Sequence, residues 1–494
     1  MSDTRGREHV ALSVDPRAQA GSLEEVGDRP FQILVLGDFS GRDSGALGAR
    51  GRVEDRRPIR VGTVDDVLDT IRPSVDLEVA GVPTRVEFGA LEDFHPDSLV
   101  ERIPRLRDLV ERVDREDATG PVASDGRDAP DAPKHGGDVR EPPATPPTGL
   151  LEDIVAATPE RASLRDAGAV DDLRPWLREV VAPYLEEAHA DADEDLVRRH
   201  EAKASAHVRD VLHHPAVRAL ERSWRSLFLL SRAVDPVEDA RLYVLDVARS
   251  ELEELLGDGE PRDSLPFRVL SEELPGPGGD TPVGLLVGGY PFGPEAEDVL
   301  FLNRLAILAH LTGAPLLVEA SSRLLGLDSF AALPAPGRRH EPTAGWAAFR
   351  GTEAAASVAL LAPRVLLREP YGPDSDPCEA FAFDELDPAG GSTYLWGSPA
   401  FVAAAAAIEA FASDGWGLAL DSARELEGMP IHVTASGAVG AHPTEVVWSQ
   451  DVVEYVRAAG VSPVIGFRDQ TRVRLPGVSS VSLSRAPLAG WWCR

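Results

Sequence analysis

Residues 116–148 constrain the fold of this 494-residue chain more than any other stretch. Their sequence, EDATGPVASDGRDAPDAPKHGGDVREPPATPPT, has Val122 and Val139 as its only large aliphatic or aromatic side chains. A segment so rich in proline, glycine and aspartate cannot bury enough apolar surface to offset the entropy lost on ordering. We therefore predict a flexible linker here, with a folded module on either side.

The pattern of apolar residues divides the rest of the chain. Residues 1–30 are polar and predict a disordered N-terminal arm, and residues 31–115 predict a small module. Residues 149–494 predict a larger module, with a helical part over 149–240, an α/β core over 241–430 and a β-rich C-terminal part over 431–494. The expected fold class is mixed α/β, or α+β, because strands and helices interleave in both modules.

The small module is expected to begin with a buried strand over 31–36. A strand, a helix begun near Thr63 and a second strand follow over 59–79, and a further strand is predicted over 84–94. One helix is predicted over 95–113, with Pro96 in its first turn. Its apolar stripe consists of Leu99, Ile103, Leu106, Val110 and Val113.

The larger module is expected to contain a helical hairpin broken near Pro215. Buried strands are predicted over 242–248, 283–290 and 314–320, with a helix over 296–312. Short strands are predicted after residue 430, including TEVVWS at 444–449.

Composition excludes several classes of function. A formal charge of −32 repels nucleic acid and anionic lipid, and no apolar run is long enough for membrane insertion. Cys378 and Cys493 are too few for a disulfide scaffold. Because MSDTRGREHV lacks the apolar core of a signal peptide, we expect a cytoplasmic protein.

The stretch FQILVLGDFSGRDSGALG, residues 31–48, raises the question of a phosphate site, because a strand runs into a glycine-rich loop. It contains neither GxxxxGK[ST] nor GxGxxG, and Asp38 would place a negative charge beside the phosphate. We interpret Gly37, Asp38 and Gly41 as a structural turn, in which Asp38 and Ser40 bond to local backbone and glycines supply positive φ angles.

Other sequence patterns give only weak support for a metal site or a catalytic site. His200, His207, His213 and His214 share one helical stretch but have no second ligand cluster, so we predict no metal site. Ser398 and Ser436 lie outside any GxSxG motif, which leaves a soluble α/β hydrolase as a remote alternative. We therefore expect no enzyme, no catalytic residues and no cofactor.

A series of segments in order gives the strongest signal. FQILVLGDFSGR, RRPIRV and FGALEDFHPDSLVERIPRLRDLV resemble the small sheath subunit of bacterial type VI secretion systems. After the linker, LLEDIVAA, HPAVRALERSWRSLFLL, LYVLDVARSELEELL, the region 278–320, APRVLLREPYGPDSDPCEAFAFDE and the region 443–482 resemble the large sheath subunit of the same machine. The resemblance covers roughly residues 30–490 apart from the linker, with both subunits on one chain.

This resemblance implies a contractile tail-sheath fold and a structural function. The chain would polymerise with itself into a helical sheath around an inner tube and contract to drive that tube outward. The implied partners are other copies of the chain, the inner tube protein, baseplate components and an ATP-dependent AAA+ unfoldase. A non-contracting tube or cap protein of a related contractile injection system is the alternative, because Gly289 and residues 351–359 depart from the family's charged pattern.

The resemblance also implies two kinds of site. Neighbouring protomers of the family exchange strands, which makes the first strand a candidate inter-protomer strand through Phe31, Ile33, Leu34, Val35 and Leu36. An unfoldase-recognition helix is implied at Leu150, Leu151, Ile154 and Val155, although the same apolar stripe could pack against its own domain.

Overall fold

The computed structural model describes residues 29–43, 53–118, 199–257, 259–275, 281–332, 341–386, 394–490 and 492. Contacts group the chain into one unit of residues 1–107 with 205–494 and a second unit of residues 108–204. The described residues of the second unit, 108–118 and 199–204, are helical. The module boundaries at 30, 115 and 148 stay predictions.

The strands are β1 (Phe31–Gly37), β2 (Ile59–Arg60), β3 (Ser74–Val79), β4 (Val82–Glu87), β5 (Ala240–Asp246), β6 (Val283–Phe292), β7 (Leu316–Ala320), β8 (Val358–Ala362), β9 (Val365–Leu366), β10 (Trp396–Gly397), β11 (Arg424–Leu426), β12 (His432–Val433), β13 (Val439–Ala441), β14 (Val461–Pro463), β15 (Ile465–Gly466) and β16 (Val473–Leu475).

The α-helices are α1 (Val64–Ile71), α2 (Pro96–Arg102), α3 (Pro104–Ala118), α4 (described over 199–212), α5 (Pro215–Val234), α6 (Arg249–Leu256), α7 (Leu265–Arg268), α8 (Ala296–Thr312), α9 (Ala344–Arg350), α10 (Pro399–Asp414) and α11 (Gln450–Ala458). Short 3-10 helices lie at Val53–Asp55, Leu91–Phe94, Pro261–Asp263, Ser322–Leu325, Ala354–Ser357 and Gly415–Gly417, and a π-helix lies at Val269–Glu273.

The centre of the fold is a seven-stranded sheet in the order β14–β8–β7–β6–β1–β5–β2. Its neighbours pair in parallel except β2, which runs antiparallel to β5. Helices cover this sheet, and strand β1 contributes Leu34 and Leu36 to an apolar core that extends across it. The predicted mixed α/β class is confirmed. A smaller sheet, β11–β16–β15, lies in the C-terminal part.

Local sequence explains where several helices begin and end. The Thr63 side chain accepts a hydrogen bond from the backbone N–H of Asp66, which caps α1, and that helix buries one apolar side. His214 caps α5 in the same way through Ala216, and Pro215 occupies its first turn. Gly313, with φ of +67°, ends α8 at the residue the sequence predicted.

Helix α10 is buried almost all round, because its alanines let neighbouring elements approach closely. It packs against α5 and against strands β6 and β7. The alternation of polar and apolar residues typical of a surface helix is therefore missing from its sequence, PAFVAAAAAIEAFASD.

Three local predictions were wrong. The helix predicted over 95–113 is broken at Ile103, whose extended backbone precedes Pro104, because proline disfavours the helical region for the residue before it. The strand predicted over 84–94 ends at Glu87 and gives way to a 3-10 turn. TEVVWS forms no strand among the described residues and has only an isolated bridge at Thr444.

The described helices include none that is long and apolar enough to span a bilayer.

Candidate functional site: the strand shared by two segments

Strand β1 joins two segments that are far apart in sequence. We call residues 29–107 the first segment and residues 205–492 the second segment. β1 lies between β5 and β6 of the second segment, with Leu34 beside Tyr243 on one edge and Leu286 on the other. A parallel strand paired on both edges holds its neighbours through two ladders of backbone hydrogen bonds.

The predicted inter-protomer residues all lie inside this sheet. Phe31, Ile33, Leu34, Val35 and Leu36 are at most 1% exposed. Because β1 already has a partner strand on each edge, neither edge is open to a second copy in this arrangement. Their role between protomers stays a prediction, and it requires these pairings to form in another copy's sheet.

Aromatic side chains anchor the start of β1. The Phe31 ring stacks on Phe411, with ring centroids 4.9 Å apart, and contacts Trp416 at 5.3 Å. The Trp416 indole N–H donates to the carbonyl oxygen of Arg29 over 2.8 Å. A side chain at Gly284 would collide with the Phe31 ring, so glycine is needed where this ring crosses β6.

The turn after β1 is organised by Asp38. Its carboxylate accepts hydrogen bonds from the backbone N–H groups of Arg42 and Asp43, each over 2.9 Å. Burial raises the pKa of Asp38, against the lowering effect of these two bonds. Gly41 has φ of +75°, whereas Gly37 leaves room for the ring of Phe39.

Asp246, at the end of β5, accepts hydrogen bonds from the other residues of this turn. Its Oδ1 accepts the backbone N–H groups of Phe39 and Ser40, and its Oδ2 accepts the Ser40 hydroxyl over 2.7 Å. Ser40 was expected to bond to local backbone, and instead it bonds across to the second segment. The carboxyl ends of two parallel strands meet at one sheet edge, which brings these groups together.

Arginines complete this cluster. Arg42 Nη1 donates to Asp246 Oδ2 over 2.8 Å, and its Nε donates to Glu251 Oε2 over 3.0 Å. Arg56 forms a two-pronged pair with the same Glu251, at 2.7 and 2.8 Å. Burial alone would lower the pKa of Arg42, but the hydrogen bond and charge of Asp246 raise it.

The electrostatics of this sheet edge favour a charged clamp between the two segments, formed by Arg42, Asp246 and Glu251, over a binding site for an anion. Carboxylates of Asp38, Asp246 and Glu251 occupy the space beside the turn. Asp38 binds backbone N–H groups, whereas Asp246 and Glu251 already bind the guanidinium groups of Arg42 and Arg56. An incoming phosphate would meet these carboxylates and would have to displace them from the arginines. The cluster therefore ties the first segment to the second.

Trp224 and Tyr290 hold the backbone on both sides of this clamp through hydrogen bonds to carbonyl oxygens. The Trp224 indole N–H donates to the carbonyl oxygen of Phe39 over 3.0 Å, and the two rings meet edge to face at 5.0 Å. The Tyr290 hydroxyl donates to the carbonyl oxygen of Val247. Burial raises the pKa of Tyr290 well above its usual value, so this hydroxyl stays a donor.

A second connection between the segments lies at Asp97, in the first turn of α2. Its carboxylate accepts the backbone N–H groups of Glu379 and Ala380, each over 2.9 Å, and the thiol of Cys378 over 2.8 Å. Burial and the neighbouring carboxylate raise the pKa of Cys378 to about 12, which keeps it a protonated, unreactive thiol.

A buried ion network lies beneath this connection. Arg368 donates to both Glu221 and Glu385, and Arg225 donates to Glu221 and to the hydroxyl of Tyr371. Burial alone would raise the pKa of Glu385, but Arg368 and its other hydrogen bonds lower it to about 2. The network links α5 to the loop 367–386.

The remaining candidates occupy separate places. Among the described residues, no group of three or more His, Cys, Asp or Glu has the geometry of a metal site. His214 caps α5, and His213 lies 3.5 Å from Glu385. Ser398 caps α10, and His432 contacts the hydroxyl of Tyr394. The candidate unfoldase-recognition residues, Leu150, Leu151, Ile154 and Val155, lie outside the described residues.

Sequence reasoning missed the partners of the turn. Asp246, Glu251 and Arg56 carry no motif of their own. One signal was available, since Asp246 is the only charged residue in the predicted buried strand 242–248 and lies near its end, and Asp38 follows the predicted strand 31–36 after one glycine. Acidic residues at the carboxyl ends of parallel strands are expected to share an edge.

Two family models match separate parts of the chain. The model for the type VI secretion system protein VipA (VC_A0107 or Hcp2) matches residues 7–116. The model for VipB, the EvpB/VC_A0108 tail sheath N-terminal domain, matches residues 194–482, which is more than half of the chain.

One curated relative is also a type VI secretion sheath protein. The type VI secretion system sheath protein TssC1 of Pseudomonas aeruginosa is 32% identical over 303 residues, which make up 58% of this chain and 61% of the relative. The chain thus spans less than two thirds of the length of that relative.

Proposed function

Because the chain belongs to the VipB family of type VI secretion tail-sheath proteins, we propose that it is the structural protomer of a contractile sheath. A VipA-like region precedes the VipB-like region on the same chain. In this proposal the protein polymerises helically around an inner tube and contracts to drive that tube outward. Its role is structural, with no catalytic step.

One observation carries the proposal. Strand β1, from the VipA-like region, lies between β5 and β6 of the VipB-like region. The two regions therefore build one sheet and act as a single building block. Covalent fusion keeps them in equal number and at an effective concentration on the order of millimolar.

Head-to-tail contacts between such blocks generate open helical polymers when the rotation does not close a ring. The proposed partners are further copies of this chain, an inner tube protein and baseplate components. We place the assembly in the bacterial cytoplasm. We propose no nucleic-acid partner, because the net charge of −32 repels polyanions.

Electron microscopy of the purified full-length protein tests this function. We expect helical tubes in two states, one long and narrow, the other short and wide. Leu34→Asp places a charge at a fully buried position of β1 and should abolish the tubes. An exposed matched change, Glu369→Asp, should leave them intact. A protein that stays monomeric under all conditions would contradict the proposal.

A static tube or cap protein is the second candidate. It is favoured by residues 351–359, which depart from the family's charged pattern and in which Ala354 and Ala355 are buried. Arg350, which precedes them, donates to the carbonyl oxygens of Val481 and Ser482. Burial lowers the pKa of Arg350, and the nearby Arg485 lowers it further. Tubes of one length that never shorten would favour this candidate.

Recycling by an unfoldase is a further part of the proposal. Leu150, Leu151, Ile154 and Val155 would form the apolar face that an AAA+ unfoldase grips after contraction. Replacing Leu151 and Ile154 by alanine should weaken binding to the unfoldase at least about tenfold, since apolar contact drives such recognition. Glu152→Ala, a change of a charged residue in the same segment, serves as control. Equal binding of all three proteins would contradict this role.

A further inference from the structure

An apolar cavity of about 360 Å³ lies in the second segment beside the start of the described chain. Its apolar lining consists of Leu418, Leu420, Val478, Pro487, Leu488 and Trp492. Ala419 and Asp421, which also line it, are exposed. Its size lies at the small end of the range for ligand pockets, and few polar groups converge on it.

The N-terminal segment leaves the described structure next to this cavity. The carbonyl oxygen of Arg29 is bound by Trp416, and the cavity lining begins at the next residue, Gly417. On the other side, the Phe31 ring abuts Gly284, whose carbonyl oxygen accepts the indole N–H of Trp492 over 2.6 Å. Arg29, the first described residue, is therefore held near the margin of the cavity.

The sequence of residues 1–28 contains one suitable occupant. In HVALSV, residues 9–14, the large aliphatic residues Val10, Leu12 and Val14 alternate with smaller or polar ones. An extended backbone would place these three side chains on one face. Arg5 and Arg7 precede them, and either could approach the exposed Asp421 at the cavity.

We propose that residues 10–14 of the same chain dock into this cavity. Residues 15–28 would form the connection, and a flexible chain of that length has a root-mean-square span of about 20 Å. This span is ample for a site that begins next to Arg29. The short connection also gives the segment of the same chain a higher effective concentration than that of a second copy.

This docking holds in the unassembled protein and does not rest on the proposed sheath function. It buries Val10, Leu12 and Val14, which would otherwise face water, against the apolar lining. While it is docked, the N-terminal segment is not available to contact another copy.

Disulfide trapping in the full-length protein tests the proposal. Cys378 and Cys493 are first replaced by serine, which keeps a donor for Asp97 at position 378. Leu12→Cys is then combined with Ala419→Cys, an exposed position of the lining, and oxidised with copper phenanthroline. We expect an intrachain disulfide to form at least about tenfold faster than in the control pair described next.

The control is Ser22→Cys combined with Ala419→Cys. Position 22 is closer to the anchor at Arg29, so tethering alone would favour it over position 12. Replacing Val10 and Val14 by serine should reduce the trapping rate of the Leu12→Cys pair. Trapping at position 22 that equals or exceeds trapping at position 12 would overturn the proposal.

Mixing two differently tagged chains, one with Leu12→Cys and one with Ala419→Cys, identifies the occupant. Disulfides that form between chains as fast as within one chain would assign the cavity to a second copy and overturn the proposal. A second measurement leaves the cavity unaltered. Replacing Val10, Leu12 and Val14 by serine should speed amide hydrogen exchange at residues 417–421 several-fold, and unchanged exchange would count against docking.

Discussion

At the scale of single residues, the buried ion network around Arg368 should make the stability of the protein sensitive to the loss of any one of its charged members. Glu221 is fully buried and Glu385 is 3% exposed, and both carboxylates bind the guanidinium group of Arg368. Arg225 is a second partner of Glu221. A buried charge that loses its partner is strongly destabilising, whereas the intact pair stabilises the fold little more than apolar residues of similar volume would. The network therefore fixes geometry: it holds the loop 367–386 against α5.

The pH dependence of stability should reveal this network. The pKa of Glu385 is lowered from 4.5 to about 2, so its ionised form is favoured in the folded state. Its contribution is fully present above about pH 5 and is lost as the pH falls toward 2, an effect of about 3 kcal/mol. Urea unfolding at several pH values measures it.

Glu385→Gln should flatten the decline in unfolding free energy between pH 5 and pH 2, because the group that takes up the proton is gone. The variant should also be less stable at pH 7, since Arg368 then keeps only Glu221. Glu369→Gln, an exposed neighbour, is the matched control. A decline in Glu385→Gln as steep as in the wild type would contradict the assignment.

At the scale of elements, strand β1 joins the first segment to the second. All seven of its residues are buried, and its two neighbours come from the second segment. The charged clamp at one end, formed by Arg42, Asp246 and Glu251, and the aromatic anchor at the other keep the strand from slipping. A strand held in this way does not need the linker to stay in place.

Cleavage of the linker should therefore leave one complex. A protease site placed between Gly136 and Gly137 would separate the chain into two fragments. We expect these fragments to elute together in size-exclusion chromatography, because both backbone ladders of β1 remain. With Leu34→Asp the fragments should separate, since the charge would be buried without a partner. Separation of the cleaved wild-type fragments would show that the linker, not β1, holds the segments together.

At the scale of the whole molecule, charge sets a condition on assembly. Eighty-two acidic and 50 basic residues give −32, so copies repel one another at long range. Salt limits the range of this repulsion to about 10 Å at 0.1 M ionic strength. Apolar contacts and backbone pairing stay largely intact.

Polymerisation should therefore increase with ionic strength. Between about 20 and 200 mM NaCl the concentration needed for tube formation should fall, because the screened repulsion no longer opposes contact. Sedimentation of tubes across a salt series measures this. Replacing NaCl by sucrose of equal osmolality controls for solvent exclusion. A rise in that concentration with added salt would show that attraction between opposite charges dominates the contacts.

The sequence by itself determined the local features of this protein. Apolar periodicity located β1 and helix α8, and the cap Thr63 and the first-turn proline Pro215 marked where helices begin. These features depend on neighbours within one turn or one strand, which the sequence states directly. It failed at Ile103, where the following Pro104 interrupts an apolar stripe at helical spacing. It also failed at TEVVWS, which pairs with β9 only through the single bridge at Thr444.

Only the tertiary structure decided which elements meet. Arg42 and Asp246 are separated by 204 positions, and no periodicity links them. The same holds for β1, whose apolar run would suit any buried parallel strand and does not name β5 and β6 as its neighbours. The pairing is selected by the closed packing of the whole sheet, with the Phe31 ring over Gly284 and the carboxyl ends of β1 and β5 at one edge.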